Sequence, residues 1–106
     1  MPKYLIEASY VGEGIAGLRK DGGSGRRNAV EEATRAAGGQ LEAIYFAFGE
    51  TDVFIIIDLP GNVNAAGLSL LVASSGLVKP KTVVLLTPEE MDAAVNVEGA
   101  YRRPGA

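Results

Sequence analysis

Residues 40–60 read QLEAIYFAFGETDVFIIIDLP, and the expected architecture is built outward from this segment. Two runs within it, residues 41–48 and 53–59, are rich in β-branched and aromatic residues, which favour strands. Residues 49–52, Gly-Glu-Thr-Asp, lie between the runs and suit a turn, since Gly accepts positive φ and Asp can hydrogen-bond its local backbone. Pro60 lacks an N–H group and is expected to end the second strand. The segment therefore predicts a β-hairpin.

Neither strand of this hairpin has a polar face when its residues are sorted with the two-residue period of a strand. The first strand divides into Leu41, Ala43, Tyr45, Ala47 and Glu42, Ile44, Phe46, Phe48; the second divides into Val53, Ile55, Ile57, Leu59 and Phe54, Ile56, Asp58. A sheet with one face in water alternates apolar and polar residues. We therefore expect this sheet to be covered on both faces.

The rest of the chain is divided by apolar periodicity and by Gly, Pro and capping residues. The expected elements are a strand at 3–11, a helical turn at 12–21, helices at 26–37 and 62–75, a strand at 82–86, and a short helix capped by Thr87 that runs from 88 to about 97. Residues 22–25 are expected to interrupt the first helical region, with Ser24 capping the helix that follows. Asn62 or Asn64 is expected to cap the next helix, whose buried stripe is predicted as Val63, Ala66, Leu70, Leu71 and Ala73.

This order of elements is typical of the split βαβ, or ferredoxin-like, α+β fold. We predict a four-stranded antiparallel sheet, βαββαβ, with helices on one face and a short C-terminal helix. Tyr4, Ile6, Ala8 and Tyr10 of the first strand are expected to face the helices. One domain is predicted at residues 1–98, followed by a tail at 99–106.

The helix-free face of the sheet is predicted to carry Leu5, Glu7, Ser9, Ile44, Phe46, Phe48, Phe54 and Ile56. A face of this composition is too apolar to be left in water. A second copy of the same sheet is the simplest cover. We therefore predict a homo-oligomer in which two sheets pack face to face, an arrangement often called a dimeric α+β barrel.

Composition narrows the classes of function. The 106 residues carry a net charge of −3 and contain neither Cys nor His, which removes disulfides, thiol chemistry and the commonest metal ligand and general base. An acidic chain without a basic stripe argues against a nucleic-acid partner. No apolar run approaches the ~18 residues of a membrane span, and no signal-peptide pattern is present. We expect a cytoplasmic protein with no membrane partner.

Residues 12–17, Gly-Glu-Gly-Ile-Ala-Gly, match the G-x-G-x-x-G pattern of dinucleotide sites, in which a pyrophosphate binds at a helix N-terminus. Glu13, however, places a negative charge where the phosphates would bind, and no acidic residue ends a second strand about 20 residues later. The alternative is a flexible connection between strand and helix. We therefore expect no nucleotide cofactor.

Arg26 and Arg27 follow the glycine-rich residues 22–25 at a predicted helix start. Exposed backbone N–H groups and two arginines can hold a carboxylate or phosphate there. Arginines at a helix start oppose the helix dipole, and a bound anion would explain their position. The alternative is that both are solvated, with Arg27 paired to Glu31. Arg26 and Arg27 are predicted ligand-binding residues.

A third candidate is a cavity on the helix-free face, lined by Glu7, Ser9, Phe46, Phe48 and Asp58. A carboxyl group against aromatic rings has a raised pKa and can act as a base, which makes Glu7 and Asp58 candidate catalytic residues. Alternatively, both acids form ion pairs at the sheet margins or across an interface.

Tyr10, Tyr45 and Asp52 could cluster at one end of the sheet, which adds Tyr10 as a candidate base and Asp52 as a candidate ligand contact. The alternatives are that Tyr4 and Tyr45 are core residues with satisfied hydroxyl groups, and that Asp52 serves the turn. No spacing of carboxylates predicts a metal site.

Three segments carry a resemblance to a known family: Pro2-Lys3-Tyr4-Leu5-Ile6, the Gly49-Glu50-Thr51-Asp52 turn, and residues 85–91, Leu-Leu-Thr-Pro-Glu-Glu-Met. The chain resembles the bacterial GYD-domain proteins over nearly its whole length. Thr51 stands where that family usually has Tyr, so a role of that tyrosine does not carry over. The resemblance implies a ferredoxin-like, oligomeric fold and implies no reaction.

Three functions remain open. The first is a small oligomeric binding or sensory module for a small metabolite, including an anionic one, held between sheets or at residues 22–27. The second is a cofactor-independent oxygenase, isomerase or decarboxylase that uses Glu7, Asp58 or Tyr10 as its base. The third is a structural module whose sheet face serves only assembly.

Overall fold

The computed structural model describes all residues, 1–106, and has the predicted order of elements. These are β1 (Lys3–Tyr10), α1 (Glu13–Ala36), β2 (Gln40–Phe46), β3 (Val53–Asp58), α2 (Asn62–Ser74), β4 (Val78–Leu85) and α3 (Pro88–Val95). The strands form one antiparallel sheet in the order β2-β3-β1-β4. The ferredoxin-like α+β fold with a short C-terminal helix is thereby confirmed.

The core lies between the sheet and helices α1 and α2. Its fully buried members come from β1, from β3 with the residue after it, and from α2: Tyr4, Ala8, Tyr10, Val53, Ile55, Ile57, Leu59, Ala65 and Leu68. This confirms the predicted core faces of the first and third strands. The Tyr4 hydroxyl donates to Asn62 Oδ1 at 2.6 Å, so the polar end of this core tyrosine is satisfied.

The second strand departs from the simple two-residue alternation. Its register with β3 shifts between Leu41 and Ala43, which is a β-bulge. Because a bulge adds one residue on one strand, every later side chain changes face. Ile44 and Phe46 therefore lie opposite Ile55 and Val53 on the helix side, and their predicted place on the helix-free face is wrong.

Tyr45 and Phe48 also differ from expectation. Tyr45 pairs with Phe54 on the helix-free face and is 73% exposed, so it is not a core residue. Phe48 lies beyond the end of β2, in the connection at 47–52, and is fully exposed. It therefore does not belong to either face of the sheet.

Helix α2 buries a different stripe from the predicted one. Ala65 and Leu68 are buried, whereas Val63 is 87% exposed and Leu70 is 71% exposed. The helix is apolar almost all round, so periodicity could not select its buried side. Hydrogen bonds of two asparagines help to fix its orientation: Asn62 accepts from Tyr4, and Asn64 Nδ2 donates to the Ala37 carbonyl at 3.0 Å.

The predicted asparagine cap of α2 is wrong as well. Gly61 occupies the N-cap position and has no side chain with which to cap the helix, while the side chains of Asn62 and Asn64 make tertiary hydrogen bonds. Ser24 likewise is not a cap, because the helical backbone of α1 is interrupted only at Gly22 and Ser24 lies inside the helix.

The last strand starts four residues earlier than predicted, at Val78 rather than Thr82. Residues 78–81 pair with Glu7–Tyr10 of β1, and β4 is an edge strand, where Pro80 costs no internal hydrogen bond. The helix-free face consists of Lys3, Leu5, Glu7, Ser9, Gln40, Ala43, Tyr45, Phe54, Ile56, Asp58, Lys79, Lys81, Val83 and Leu85.

Helix α3 begins with the predicted Thr87 cap, and Thr87 and Glu90 form a reciprocal capping box. Every residue from Pro88 to Ala106 is exposed, and the molecule measures 54 × 33 × 22 Å. We call residues 88–106 the C-terminal arm. None of the three helices combines the length and apolar composition that a membrane span requires.

Candidate functional site

The site is built around Arg26 on α1 and Tyr10 at the end of β1. The Arg26 side chain is 28% exposed, and its guanidinium carbon lies 5.8 Å from the centroid of the Tyr10 ring. Arg26 Nε donates to Tyr10 Oη at 3.4 Å, and Arg26 Nη1 lies 3.7 Å from Asp21 Oδ2. The other N–H groups of this guanidinium have no hydrogen-bond partner in the protein, so they are free to bind an anion.

Asp52 holds the backbone of Tyr10 in place. The Tyr10 backbone N–H donates to Asp52 Oδ2 at 2.8 Å, and the Asp52 N–H donates to the Ala8 carbonyl at 3.0 Å. The Tyr10 ring is buried, and its hydroxyl accepts from Arg26 without donating to any protein acceptor. A free O–H donor therefore lies beside the free guanidinium donors.

A kink in α1 separates Asp21 from Arg26. Gly22 has φ 70° and ψ 176°, a backbone conformation that side-chain-bearing residues rarely adopt. The helix resumes after this residue, and Arg26 then lies one turn into the second segment. The predicted interruption is confirmed, although it is limited to one residue.

An apolar cavity of about 90 Å³ opens beside Arg26, between α1, α2 and the sheet. It exists because the two helices pack on the sheet and make few contacts with each other. Its lining comprises Arg26 and Tyr10 with Ile6, Ala8, Ala29, Val30, Ala33, Thr34, Val53, Ile55, Ile57, Leu68, Val72 and Val78. The hydroxyl of Thr34 already donates to the Val30 carbonyl at 2.7 Å, so the inner wall offers no free donor.

Two wider depressions adjoin this cavity. One of about 310 Å³ shares Tyr10, Arg26 and Val72 with it, and one of about 290 Å³ shares Ala33, Leu68 and Val72. The second is lined only by apolar residues: Ala33, Ala36, Ala37, Leu68, Leu71 and Val72. Together the three form one interhelical groove, and Arg26 and Tyr10 lie where the 90 Å³ cavity meets the 310 Å³ depression.

The helix-free face has a separate polar cluster at Lys3. Lys3 Nζ donates to Asp58 Oδ1 at 2.8 Å and also to Glu42 Oε1. The hydrogen bond to Asp58, followed by the one to Glu42, raises the pKa of Lys3. The hydrogen bond from Lys3 lowers the pKa of Asp58. The expected raised pKa is therefore wrong for Asp58, because this carboxylate is paired and does not lie alone against aromatic rings.

The other candidates on this face are also engaged. Glu7 Oε2 lies 3.8 Å from Lys81 Nζ, across the β1–β4 pair. Ser9 Oγ donates to the Glu50 carbonyl at 2.8 Å and ties the 47–52 connection to β1. These contacts match the ion-pair alternative for Glu7 and give Ser9 a structural hydrogen bond.

The predicted site residues thus fall into separate places. Arg26 and Tyr10 meet at the groove, with Asp52 directly behind Tyr10. Arg27 is exposed and does not line the groove. Phe46 lies on the helix side, close to Gly23, which places it away from the acids of the helix-free face. Glu7, Ser9 and Asp58 lie on that opposite face, and Phe48 lies on neither.

Sequence reasoning missed the wall of the groove, chiefly Ala29, Ala33 and Val72. The sequence signal is a stripe of small residues on α1 that includes Ala29, Ala33 and Ala37. The same small side chains leave the space between the two helices unfilled.

The G-x-G-x-x-G segment has a packing role. A Cβ atom on Gly14 would lie 2.1 Å from the Leu77 carbonyl oxygen, so no side chain fits at this position. The Val11 N–H donates to the same carbonyl at 2.9 Å. The segment therefore allows the start of α1 to pack against the connection between α2 and β4.

No group of three or more acidic side chains is arranged to hold a metal ion.

A family model described as the GYD domain matches residues 4–95 of the chain. Neither the curated proteins nor the solved structures gave a match.

Proposed function

We propose that this chain, which belongs to the GYD-domain family, is a small oligomeric binding protein that holds an organic acid in the interhelical groove. The observation that carries the proposal is the set of free donors on Arg26 and Tyr10 at an apolar cavity. A ligand site is typically an apolar concavity with a few polar groups that fix orientation.

The chemistry at the groove favours an anionic head group. A guanidinium forms charge-assisted, often bidentate, hydrogen bonds with a carboxylate. The Arg26 side chain is restrained by the Tyr10 ring and hydroxyl, so less side-chain entropy is lost when an anion binds. Asp21, at 3.7 Å, neutralises part of the charge without occupying the free N–H groups.

The test is calorimetric titration with hexanoate, which is an anion with a short apolar body. We expect Arg26→Gln to weaken binding by about ten- to a hundredfold, since a hydrogen bond to a charged group contributes roughly 1.5–3 kcal/mol. Arg27→Gln removes the same charge from the next residue, outside the groove, and is expected to change affinity less than twofold. Equal affinity of the Arg26→Gln protein and the unaltered protein would contradict the proposal.

The oligomer is proposed to form through the helix-free face of two copies. The centre of this face is apolar, with Leu5, Phe54, Ile56, Val83 and Leu85 lying on neighbouring strands. The C-terminal arm adds a second argument. An isolated helix of eight residues is marginal in water, and α3 exposes Met91 and Val95 without a covering element in its own chain.

Catalysis by Asp58 is not part of the proposal. A general base needs a proton affinity matched to its task, and the hydrogen bond from Lys3 lowers the pKa of Asp58. Glu7 faces Lys81, and Tyr10 is used at the groove as a hydrogen-bonding group. The binding function therefore has more support than the enzyme alternative.

A further inference from the structure

We infer that the acid held in the interhelical groove is a straight-chain aliphatic carboxylate, with its head at Arg26 and Tyr10 and its alkyl chain running along α1 toward Ala37. This inference rests on the proposed function and adds the class of ligand. We argue it from the volume of the central cavity, the apolar residues of the groove wall and the position of Arg26.

The central cavity of the groove, beside Arg26 and Tyr10, is small. The central cavity has a volume of about 90 Å³, whereas an apolar cavity that accepts a benzene ring holds ~150 Å³. A ring does not fit this space without displacement of the wall, but an extended alkyl chain has a much smaller cross-section. The small volume of the central cavity therefore favours a linear chain over an aromatic acid.

The groove also continues from the central cavity toward the end of α1. Ala33, Leu68 and Val72 line both the central cavity and the wider depression, which ends at Ala36, Ala37 and Leu71. The second segment of α1 is continuous from Arg26 to Ala36, so this path is about 15 Å long at a rise of 1.5 Å per residue. A chain of medium length can follow it.

The wall selects an apolar chain with a single polar end. Thr34 has its hydroxyl bonded to Val30, and no buried side-chain polar atom in the protein lacks a partner. A hydroxyl or amide within the ligand chain would therefore be buried without a hydrogen bond, which is unfavourable. The free donors lie at Arg26 and Tyr10. The depression of about 310 Å³ includes Asp21 and Ser75 in its lining, whereas the one of about 290 Å³ is lined only by apolar residues, so the alkyl chain runs toward the latter.

The experiment is a calorimetric series with butanoate, hexanoate, octanoate and decanoate below their micellar concentrations, with benzoate as the ring-bearing acid. We expect affinity to rise about three- to fourfold for each added CH₂ until the groove is filled, from the transfer free energy of a methylene group. Benzoate is expected to bind no better than butanoate. Equal affinities along the series, or tighter binding of benzoate than of hexanoate, would overturn the inference while leaving the Arg26 site intact. Binding of none of these acids would overturn the proposed function itself.

Two variants test where the alkyl chain of the ligand lies. Ala33→Leu places a larger side chain where the narrow cavity meets the wider depression, and we expect it to weaken octanoate binding at least tenfold while butanoate changes less than twofold. Ala16→Leu adds the same side chain to an exposed position of the same helix and is expected to leave both affinities unchanged. If Ala33→Leu leaves octanoate binding unchanged, the chain does not follow this path. The series on the unaltered protein decides the question even if Ala33→Leu fails to fold.

Discussion

At the residue scale, the contact of Arg26 with Tyr10 turns two ordinary side chains into a polar site. The guanidinium lies over the ring, and such a cation–π contact contributes about 0.5–1 kcal/mol at partly exposed sites. A lysine could not fully replace Arg26, because a guanidinium offers a planar set of donors that matches a carboxylate. The restrained Arg26 side chain is therefore the group to which we assign the proposed anion binding.

Asp21 partly neutralises the charge of Arg26 and is expected to weaken its attraction for an anion. Its carboxylate lies 3.7 Å from Arg26 Nη1 and is partly exposed. We expect Asp21→Asn to strengthen hexanoate binding about two- to fivefold, because a weak exposed ion pair contributes roughly 0.2–1 kcal/mol. Calorimetry provides the measurement, and Glu32→Gln on the exposed side of the same helix is the matched charge control. A decrease in affinity for Asp21→Asn would show that Asp21 positions Arg26 for the ligand.

The Lys3–Asp58 pair gives a pH dependence of stability with a defined sign. The pKa of Asp58 is lowered in the folded protein, so its contribution is present above the unfolded pKa of about 4 and is lost as the pH falls through the folded pKa. The pKa of Lys3 is raised, so its contribution is present below about 10.4 and is lost as the pH rises through the folded pKa.

We therefore expect Asp58→Asn to be less stable than the unaltered protein at neutral pH, and we expect the difference to shrink under strongly acidic conditions. Urea unfolding at each pH measures the difference. Glu32→Gln, which removes an exposed acid that makes no ion pair, is expected to show no such pH-dependent difference. A constant difference across the acidic range would show that the ion pair is not its cause.

The chemistry of the site residues was partly predictable from sequence. Arg26 and Tyr10 were each chosen for their side-chain type, Arg26 for anion binding and Tyr10 for a polar cluster with Asp52. That they touch was not predictable, because the contact depends on the direction in which α1 leaves the Gly22 kink. The wall of the groove was missed because Ala29 and Ala33 carry no chemical signal of their own.

At the scale of elements, the groove depends on how α1 and α2 lie on the sheet. The kink at Gly22 separates α1 into two segments, and the second of these carries Arg26, Ala29 and Ala33 along the groove. Helix α2 contributes Leu68 and Val72 to the opposite wall. The hydrogen bonds of Asn62 and Asn64 orient that helix, and the site therefore depends on residues that never line it.

Two glycines of α1 test the kink. Gly22 has φ 70° and ψ 176°, so Gly22→Ala is expected to destabilise the protein by about 1–3 kcal/mol. Gly17 has helical backbone angles and open space around its Cα atom, so Gly17→Ala is expected to stabilise by about 0.5–1 kcal/mol. Urea unfolding compares the two variants directly. Stabilisation by both would mean that α1 can straighten and that the kink is not required.

Element types followed from the sequence because propensity, turn residues and caps agreed, as for the Thr87 capping box of α3. Which side of an element faces the core was harder to predict. The bulge between Leu41 and Ala43 reverses the faces of β2, and nothing in the local alternation marks it. In α2 the apolar residues surround the helix, so its orientation is decided by tertiary hydrogen bonds and not by a hydrophobic stripe.

At the scale of the whole molecule, the sheet presents two different surfaces. One face is covered by α1 and α2 and holds the core and the groove. The other holds Leu5, Ile56 and Val83 next to one another on β1, β3 and β4. The C-terminal arm lies outside both. Exposed apolar area of this kind is typical of an interaction surface.

We expect the protein to be a dimer or a larger oligomer at micromolar concentration, and Ile56→Glu to convert it to a monomer by placing a charge at the centre of the helix-free face. Val63→Glu makes the same substitution at an exposed position of α2 and is expected to leave the oligomer unchanged. Light scattering coupled to size-exclusion chromatography measures the mass of each. A monomeric unaltered protein would contradict the proposed use of this face.

An NMR titration of isotope-labelled protein with octanoate tests whether the interhelical groove is the binding site, because it reports every affected residue at once. We predict shifts of the Arg26 side-chain Nε–H and of backbone amides near Ala29, Ala33, Leu68 and Val72, with little change at Phe54 and Ile56. Shifts confined to the helix-free face, or no shifts at concentrations that saturate ordinary weak sites, would contradict the assignment of the groove as the binding site.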